Sequence, residues 1–172
     1  MKKKVGAILL GLFISAILGN NSFSQDEAGV MKRYDFSSPK ASFESYKKAM
    51  QEKDLEGAMI HRWELGGNQM SPGMKFKDVV AQCENEPECR EDWFKGMNEL
   101  WTEKGVLKIT EVDFVKELKR THIVDNPKIQ ATICEIIVGR KSDGMQATVM
   151  VYNLDGTEEW WILNYPGGPS GE

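Results

Sequence analysis

The sequence predicts one α+β domain in which helices come first and a sheet follows. Residues 37–105 carry apolar side chains at spacings of three and four, which is typical of helices with one apolar face. Residues 107–165 are instead rich in β-forming side chains, in a mixed alternation at 107–115, a mostly apolar run at 129–138 and a regular alternation at 147–152. They also contain two Asp-Gly turns, which are typical of antiparallel hairpins. Because helices and strands are segregated along the chain, we expect helices packed on one face of a curved, four-stranded antiparallel sheet.

The first 24 of the 172 residues have the layout of a secretory signal peptide. Three lysines are followed by a 14-residue run of apolar and small residues (5–18), and two asparagines end it. Ser22 and Ser24 lie at positions −3 and −1 of a cleavage site before Gln25. A membrane span needs about 20 apolar residues, so a cleaved peptide is the preferred interpretation. No cysteine near the site offers a lipid anchor, and we expect a periplasmic or secreted protein.

Cleavage leaves 19 basic and 26 acidic side chains, a net charge of −7. Such a surface disfavours phosphate backbones and anionic lipid, so we expect no nucleic-acid partner, and no membrane span in the mature chain. The mature chain divides into a polar leader at 25–36, a domain at 37–165 and a disordered tail at 166–172, which is rich in glycine and proline.

Capping residues predict where the first helices begin. Ser38 followed by Pro39 is a typical start, and apolar side chains then share one face from Phe43 to Met50. Asp54 caps a short second helix, which two glycines at 66–67 end.

A third helix begins at Ser71-Pro72 and is broken or bent at Pro87. The strongest apolar period in the chain follows that proline, at i, i+1, i+4, i+7 and i+8; its members are Trp93, Phe94, Met97, Leu100 and Trp101. This period predicts a long helix that ends at Gly105, with Trp101 in the core.

Turn residues divide the remaining chain into four strands. The first strand begins at residue 107, and an Asp-Asn-Pro turn at 125–127 separates it from the second, at 129–138. Asp-Gly turns at 143–144 and 155–156 then join the second strand to a third and the third to a fourth.

The three cysteines of the mature chain have different predicted roles. Cys83 and Cys89 bracket a polar stretch containing a proline, so a bend there predicts a disulfide between them. Cys134 lies in an apolar run, and a buried strand thiol is favoured over a reactive nucleophile. The two histidines are isolated in sequence, so no zinc site is predicted.

The opening segment SPKASFESYKKAMQEKDLEGA (38–58) and the closing segment ATVMVYNLDGTEEWWIL (147–163) resemble small exported bacterial domains of the nuclear transport factor 2-like superfamily (SnoaL-like, with a cystatin-like cone). The resemblance spans about residues 36–165. It implies a conical half-barrel, in which a strongly bent sheet wraps around a long helix. The insert between Cys83 and Cys89 departs from the family pattern, and so does the end of the last strand at 164–166.

The resemblance also directs attention to titratable groups, because enzymes of this fold place an acid or base in an apolar cone. The candidates are His61, Asp113 and Tyr152, and none has a partner at a recognisable spacing. We expect His61 at the rim with its ring on Trp63, and Asp113 on the solvent face of its strand. No catalytic residue, metal or cofactor is therefore predicted.

Four aromatic residues are the predicted ligand-binding residues: Trp63, Trp160, Trp161 and Tyr165. Because Trp160 and Trp161 are adjacent on a strand, they point to opposite faces. One is expected in the core, and the other faces outward or into a partner unless the chain end covers it.

Three classes of function remain open. A non-catalytic exported module that binds a small apolar ligand or a protein partner is favoured, because no catalytic constellation is present. An isomerase, dehydratase or cyclase would use a buried acid–base group. A structural domain would form a homodimer through its open sheet face.

Overall fold

The computed structural model describes residues 25–62, 75–126 and 129–163. The helices of the described chain are α1 Gln25–Met31, α2 Pro39–Glu52, α3 Leu55–Arg62, α4 Phe76–Asn85 and α5 Pro87–Asn98. The strands are β1 Glu99–Thr102, β2 Gly105–Lys108, β3 Asp113–Asn126, β4 Ile129–Gly139, β5 Gln146–Leu154 and β6 Trp161–Ile162, with a 3-10 turn at Ile109–Glu111. The signal peptide, the C-terminal tail, Trp63 and Tyr165 lie outside the described residues.

Strands β3 to β6 form a four-stranded antiparallel sheet in chain order, and β1 and β2 form a separate hairpin. Gly144 and Gly156 have φ angles of +71° and +86°, the left-handed conformation that the two tight turns require. The predicted α+β class, the four-stranded sheet and both Asp-Gly turns are confirmed. The predicted start of the first strand at residue 107 is wrong, because that residue pairs within the β1–β2 hairpin and the sheet begins at Asp113.

Helix α2 begins where its capping chemistry predicts. The Ser38 hydroxyl accepts the N–H of Ala41 at 3.1 Å, and Pro39 is the first helical residue. The helix ends where Lys53 adopts a left-handed conformation and donates its N–H to carbonyls of the last turn. The face carrying Phe43, Tyr46 and Met50 is buried against β4, β5 and β6 in the first of two core clusters.

The segment predicted as a polar leader does not stay outside the core. Residues 25–31 form α1, and Val30 and Phe36 are buried in the second cluster with side chains of α3 and α4. Backbone pairing holds the segment there, because the Trp160 N–H donates to the Phe36 carbonyl at 2.8 Å. The sequence did not indicate this burial, because two apolar side chains in an otherwise polar segment are too few to show a helical period.

The long helix predicted up to Gly105 is wrong, because α5 ends at Asn98 and a hairpin follows. The Asn98 side chain marks the change, because its Nδ2 donates to Thr110 Oγ1 and its Oδ1 accepts the Thr110 backbone N–H. Neighbours on a strand face opposite ways, so Leu100 is buried while Trp101 is 50% exposed, against the prediction that both lie in the core. Pairing of β1 with β2 overrides the local helical period.

The sheet contributes both of its faces to the core near β6. Cys134, Val151 and Ile162 belong to the first cluster, whereas their chain neighbours Ile133, Tyr152 and Trp161 belong to the second. Helical side chains therefore cover both faces at this end, whereas helices on one face only were predicted. In the described part of the chain, no helix is both long and apolar enough to span a bilayer.

Candidate functional site

His61 is fully buried on α3, and three aromatic rings surround it. The Phe36 ring is stacked on the imidazole at a centroid distance of 4.5 Å, Tyr34 meets it edge-on at 5.1 Å, and Tyr46 lies 5.7 Å away. We call these four residues the His61 cluster. The rim position predicted for His61 is wrong, because segment 25–36 folds back and places Phe36 over the ring.

The two imidazole nitrogens of His61 have different surroundings. Nδ1 lies 2.7 Å from the Gly57 carbonyl oxygen, which can only accept, so Nδ1 carries the proton of the neutral ring. Nε2 keeps its lone pair and has no hydrogen-bond partner among the described residues. Burial lowers the pKa of His61 to about 4, although the Gly57 carbonyl and the Asp54 charge act in the opposite direction. The ring is therefore neutral near pH 7.

Asp54 lies next to this cluster, but its carboxylate is occupied. Oδ2 accepts the Tyr34 hydroxyl at 2.5 Å and the Arg33 guanidinium at 3.0 Å, and Oδ1 accepts the Gly57 N–H at 2.9 Å. Burial alone would raise the pKa of Asp54, but these bonds outweigh it and the pKa is lowered. Burial and the bond to Asp54 raise the pKa of Tyr34. Asp54 thus fixes Tyr34 and does not bond to the imidazole.

Asp113 is a surface ion-pair residue, as its predicted solvent-facing position requires. Its side chain is 42% exposed, and its carboxylate lies 2.7 Å from Lys47 Nζ and 2.9 Å from Lys141 Nζ. Hydrogen bonds to these lysines lower the pKa of Asp113 to about 2. The two lysines neutralise the carboxylate at the surface, and Asp113 is not part of the His61 cluster.

Tyr152 is buried in the second core cluster, where β5 pairs it with Ile133 on one side and Trp161 on the other. Its phenol lies inside the domain, while Asp113 lies on the surface. The structure therefore does not bring the three predicted titratable candidates into one group.

Both members of the Trp160–Trp161 pair are buried, so the expectation that one faces outward is wrong. They do point to different sides, as predicted: Trp160 enters the first cluster and Trp161 the second. The Arg120 guanidinium lies 5.2 Å from the Trp160 ring, and the Trp161 ring lies 5.0 Å from Phe36. Trp161 therefore extends the aromatic wall beside the His61 cluster.

A second feature is the outer edge of β3. Val115, Leu118 and Val124 are each about half exposed, and the first two fall at register shifts between β3 and β4. The sequence signal was the mixed alternation at 107–115, which predicted a strand but not its bulges. Bulges of this kind bend an edge strand and turn side chains outward.

The cysteines match their predicted roles. Cys83 and Cys89 lie at disulfide distance, with Cα atoms 5.3 Å apart, and Cys134 is a free, buried thiol on β4. Across 25–62, 75–126 and 129–163, no three His, Cys, Asp or Glu side chains gather as a metal-binding set. The chain matches no protein-family model, no curated protein and no solved structure.

Proposed function

We propose that this protein is an exported, non-catalytic domain that binds a small apolar ligand at the His61 cluster. One observation carries the proposal: an imidazole buried among aromatic rings leaves Nε2 without a described partner. Buried polar atoms of folded proteins are nearly always hydrogen-bonded, so one left over calls for an explanation. A small, mostly apolar ligand that packs on these rings and donates one hydrogen bond to Nε2 would supply one.

The proposed host fold is the nuclear transport factor 2-like cone. The consecutive antiparallel order of β3 to β6, preceded by helices, supports it, and so does the burial of α2 against the sheet. The proposal requires a strong bend of the sheet formed by β3 to β6.

Export is proposed from the first 24 residues, with cleavage between Ser24 and Gln25. Intact-mass measurement on protein from the native host tests it. A mass corresponding to residues 25–172 is the expected result. A chain that retains residues 1–18 and remains in the membrane fraction would contradict export.

Binding is favoured over catalysis because the cluster lacks an acid–base pair. A carboxylate bonded to the imidazole would orient and activate it, but Asp54 is committed to Tyr34, Gly57 and Arg33. The isomerase, dehydratase or cyclase alternative retains one favourable observation, which is that neutral Nε2 is able to accept a proton. It predicts a turnover that falls when His61 is protonated, with the apparent pKa of that histidine.

The homodimer and protein-partner alternatives are favoured by the exposed apolar side chains on β3. A self-associating edge would give a concentration-dependent mass in sedimentation analysis. The substitution Leu118→Lys should then abolish association, whereas Lys48→Glu, at an exposed position of α2, should not.

The ligand proposal is tested with indole, a flat and mostly apolar ring whose N–H is able to donate to Nε2. Saturable shifts of the Phe36, Tyr34 and His61 ring resonances are expected, while the Phe114 ring, which packs in the other cluster, should stay unchanged. Phe36→Leu should weaken binding, and the matched variant Phe114→Leu should not. Absence of saturable shifts in the His61 cluster would contradict the proposal.

A further inference from the structure

We infer that residues 25–36, which we call the strap, form an acid-released cover over His61. Near pH 7 the strap packs on α3 and on β6. Protonation of His61 favours a state in which the strap is detached while the rest of the domain stays folded. The inference goes beyond the proposed function, because the release needs no ligand.

Side chains of the strap are anchored to the start of α3. Oδ2 of Asp54 accepts the Tyr34 hydroxyl at 2.5 Å and the Arg33 guanidinium at 3.0 Å. These groups are at least partly exposed, so water competes for their bonds. Within residues 27–36 the buried apolar side chains are Val30 and Phe36. Little buried apolar surface and solvent-accessible polar contacts are typical of a segment that opens before the rest of a domain.

The strap also covers the outer edge of β6. The Phe36 carbonyl accepts the Trp160 N–H at 2.8 Å, whereas β6 pairs only with β5 among the described strands. The Phe36 ring lies 5.0 Å from the ring of Trp161, which is buried. Release of the strap therefore uncovers a strand edge and an indole ring together with the imidazole of His61.

His61 resists protonation while the strap is closed. Phe36 and Tyr34, two of the three rings around the imidazole, belong to the strap, and a proton added to Nε2 would meet no acceptor among the described residues. A buried charge with an unpaired N–H is costly. Burial accordingly lowers the pKa of His61 to about 4, whereas a water-exposed imidazole has a pKa of about 6.5. Between these values the released state binds a proton that the closed state does not, so acid favours release.

The charged groups around the imidazole do not reverse this effect. The Asp54 charge favours protonation of His61, but burial outweighs it. Arg62, the next residue on α3, interacts with Tyr46 and donates to Met97 Sδ. Protonation of Asp54, whose pKa is lowered by its hydrogen bonds, weakens the anchor of the strap in stronger acid. The other charged or titratable groups of the strap, α2, α3 and β5 on this side of the core are Arg33, Tyr34, Glu52, Glu56 and Tyr152. Helices α1 and α4 contribute apolar side chains, namely Val30, Phe76 and Val80.

Native-state hydrogen exchange on the mature protein tests the inference at about pH 7.5 and about pH 5, with rates corrected for intrinsic exchange. The Trp160 amide reports on the strap, because its acceptor is the Phe36 carbonyl. Its protection should fall about 30-fold between the two pH values, as one imidazole with a pKa of about 4 when closed and about 6.5 when released requires. At both pH values it should be at least about tenfold less protected than the core amides of β4 and β5, because the strap opens without the sheet.

Variants separate the trigger from the anchor. His61→Phe keeps an aromatic ring but does not titrate, so it should remove the pH dependence of Trp160 protection, whereas His122→Phe, at an exposed position of β3, should retain it. Tyr34→Phe removes the bond to Asp54, so it should lower Trp160 protection about tenfold at both pH values and leave their ratio unchanged.

Three results would overturn the inference. One is a wild-type Trp160 protection that does not change with pH, and another is a protection equal to that of the core amides, which would mean that the whole domain opens. The third is a His61→Phe variant that keeps the full pH dependence. If His61→Phe fails to fold, the wild type and Tyr34→Phe decide by the same measurements.

Discussion

The phenolic oxygen of Tyr34 lies 2.5 Å from Oδ2 of Asp54, which ties segment 25–36 to the first turn of α3. The same carboxylate caps that helix through the Gly57 N–H, so one side chain both begins α3 and anchors the segment that covers it. Phe36 follows Tyr34 by two residues and stacks on His61. Burial of the imidazole therefore depends on this contact between Tyr34 and Asp54.

Gly57→Ala should destabilise the protein by about 1–3 kcal/mol, the usual cost of overpacking a core. A Cβ at position 57 would overlap the Tyr34 ring. The matched change Gly96→Ala, on α5, meets no atom within 4 Å and should stabilise its helix by about 0.5–1 kcal/mol. Urea unfolding of both variants measures the difference. Equal shifts in the two midpoints would show that Tyr34 does not occupy this space.

Stability should fall as the pH is lowered from about 6.5 to about 4 because of His61. The unfolded chain binds a proton on this imidazole in that range while the folded protein does not, so acid favours unfolding. The full effect is about 3 kcal/mol, from about 1.4 kcal/mol per unit of pKa difference.

Urea melts at several pH values check this expectation. His61→Phe should flatten the dependence between pH 4 and 6.5, whereas His122→Phe should keep it, because His122 is half exposed. A wild-type stability that does not change across this interval would contradict burial of His61.

Leu100→Ala should be far more damaging than Trp101→Ala. Leu100 is 3% exposed in the first core cluster, and truncation of such a side chain costs about 2–5 kcal/mol. Trp101 is 50% exposed on the other side of β1, so its loss should cost about 1 kcal/mol or less. Thermal melts of the two variants decide. If Trp101→Ala were the more destabilising change, the prediction would be contradicted, and a helix at 99–102 with Trp101 in the core would be favoured.

The thiols should differ in reactivity. In the folded protein no cysteine should be alkylated before reduction, because Cys83 and Cys89 are bridged and Cys134 is fully buried. Burial also raises the pKa of Cys134, which reduces its thiolate fraction. After mild reduction, Cys89 should label first, since its partner is buried. Peptide mapping shows the order, and rapid labelling of Cys134 in the native state would contradict it.

Local chemistry made much of the fold predictable. Ser38, Asp54 and the Asp-Gly turns act within a few residues, so their effect is visible in a short stretch of sequence. The alternation of residues 146–151 in β5 likewise follows from one buried face over that part of the strand. The disulfide and the buried Cys134 were predictable because spacing and apolar neighbours sufficed.

Of the candidate site, the sequence identified the histidine at position 61 but not its surroundings. His61 was recognised as a candidate, but its burial depends on Phe36 and Tyr34, which come from a segment with few apolar residues. Tyr34 and Phe36 were the available signal, because two aromatic residues just before the Ser38 cap are well placed to pack back on the domain. The Asp54–Tyr34 bond links residues 20 positions apart, beyond any local pattern.

The sequence by itself determined that helices precede an antiparallel sheet, and it determined the caps at Ser38 and Asp54, the two Asp-Gly turns and the cysteine pair. Each of these local features follows from side chains within about one turn or one hairpin of one another. Only the tertiary structure decided that 99–102 is a strand and that His61 lies inside the core. The physical reason is the same in both cases. Pairing with β2 and coverage by Phe36 are contributed by distant residues, and these contacts outweigh local periodicity.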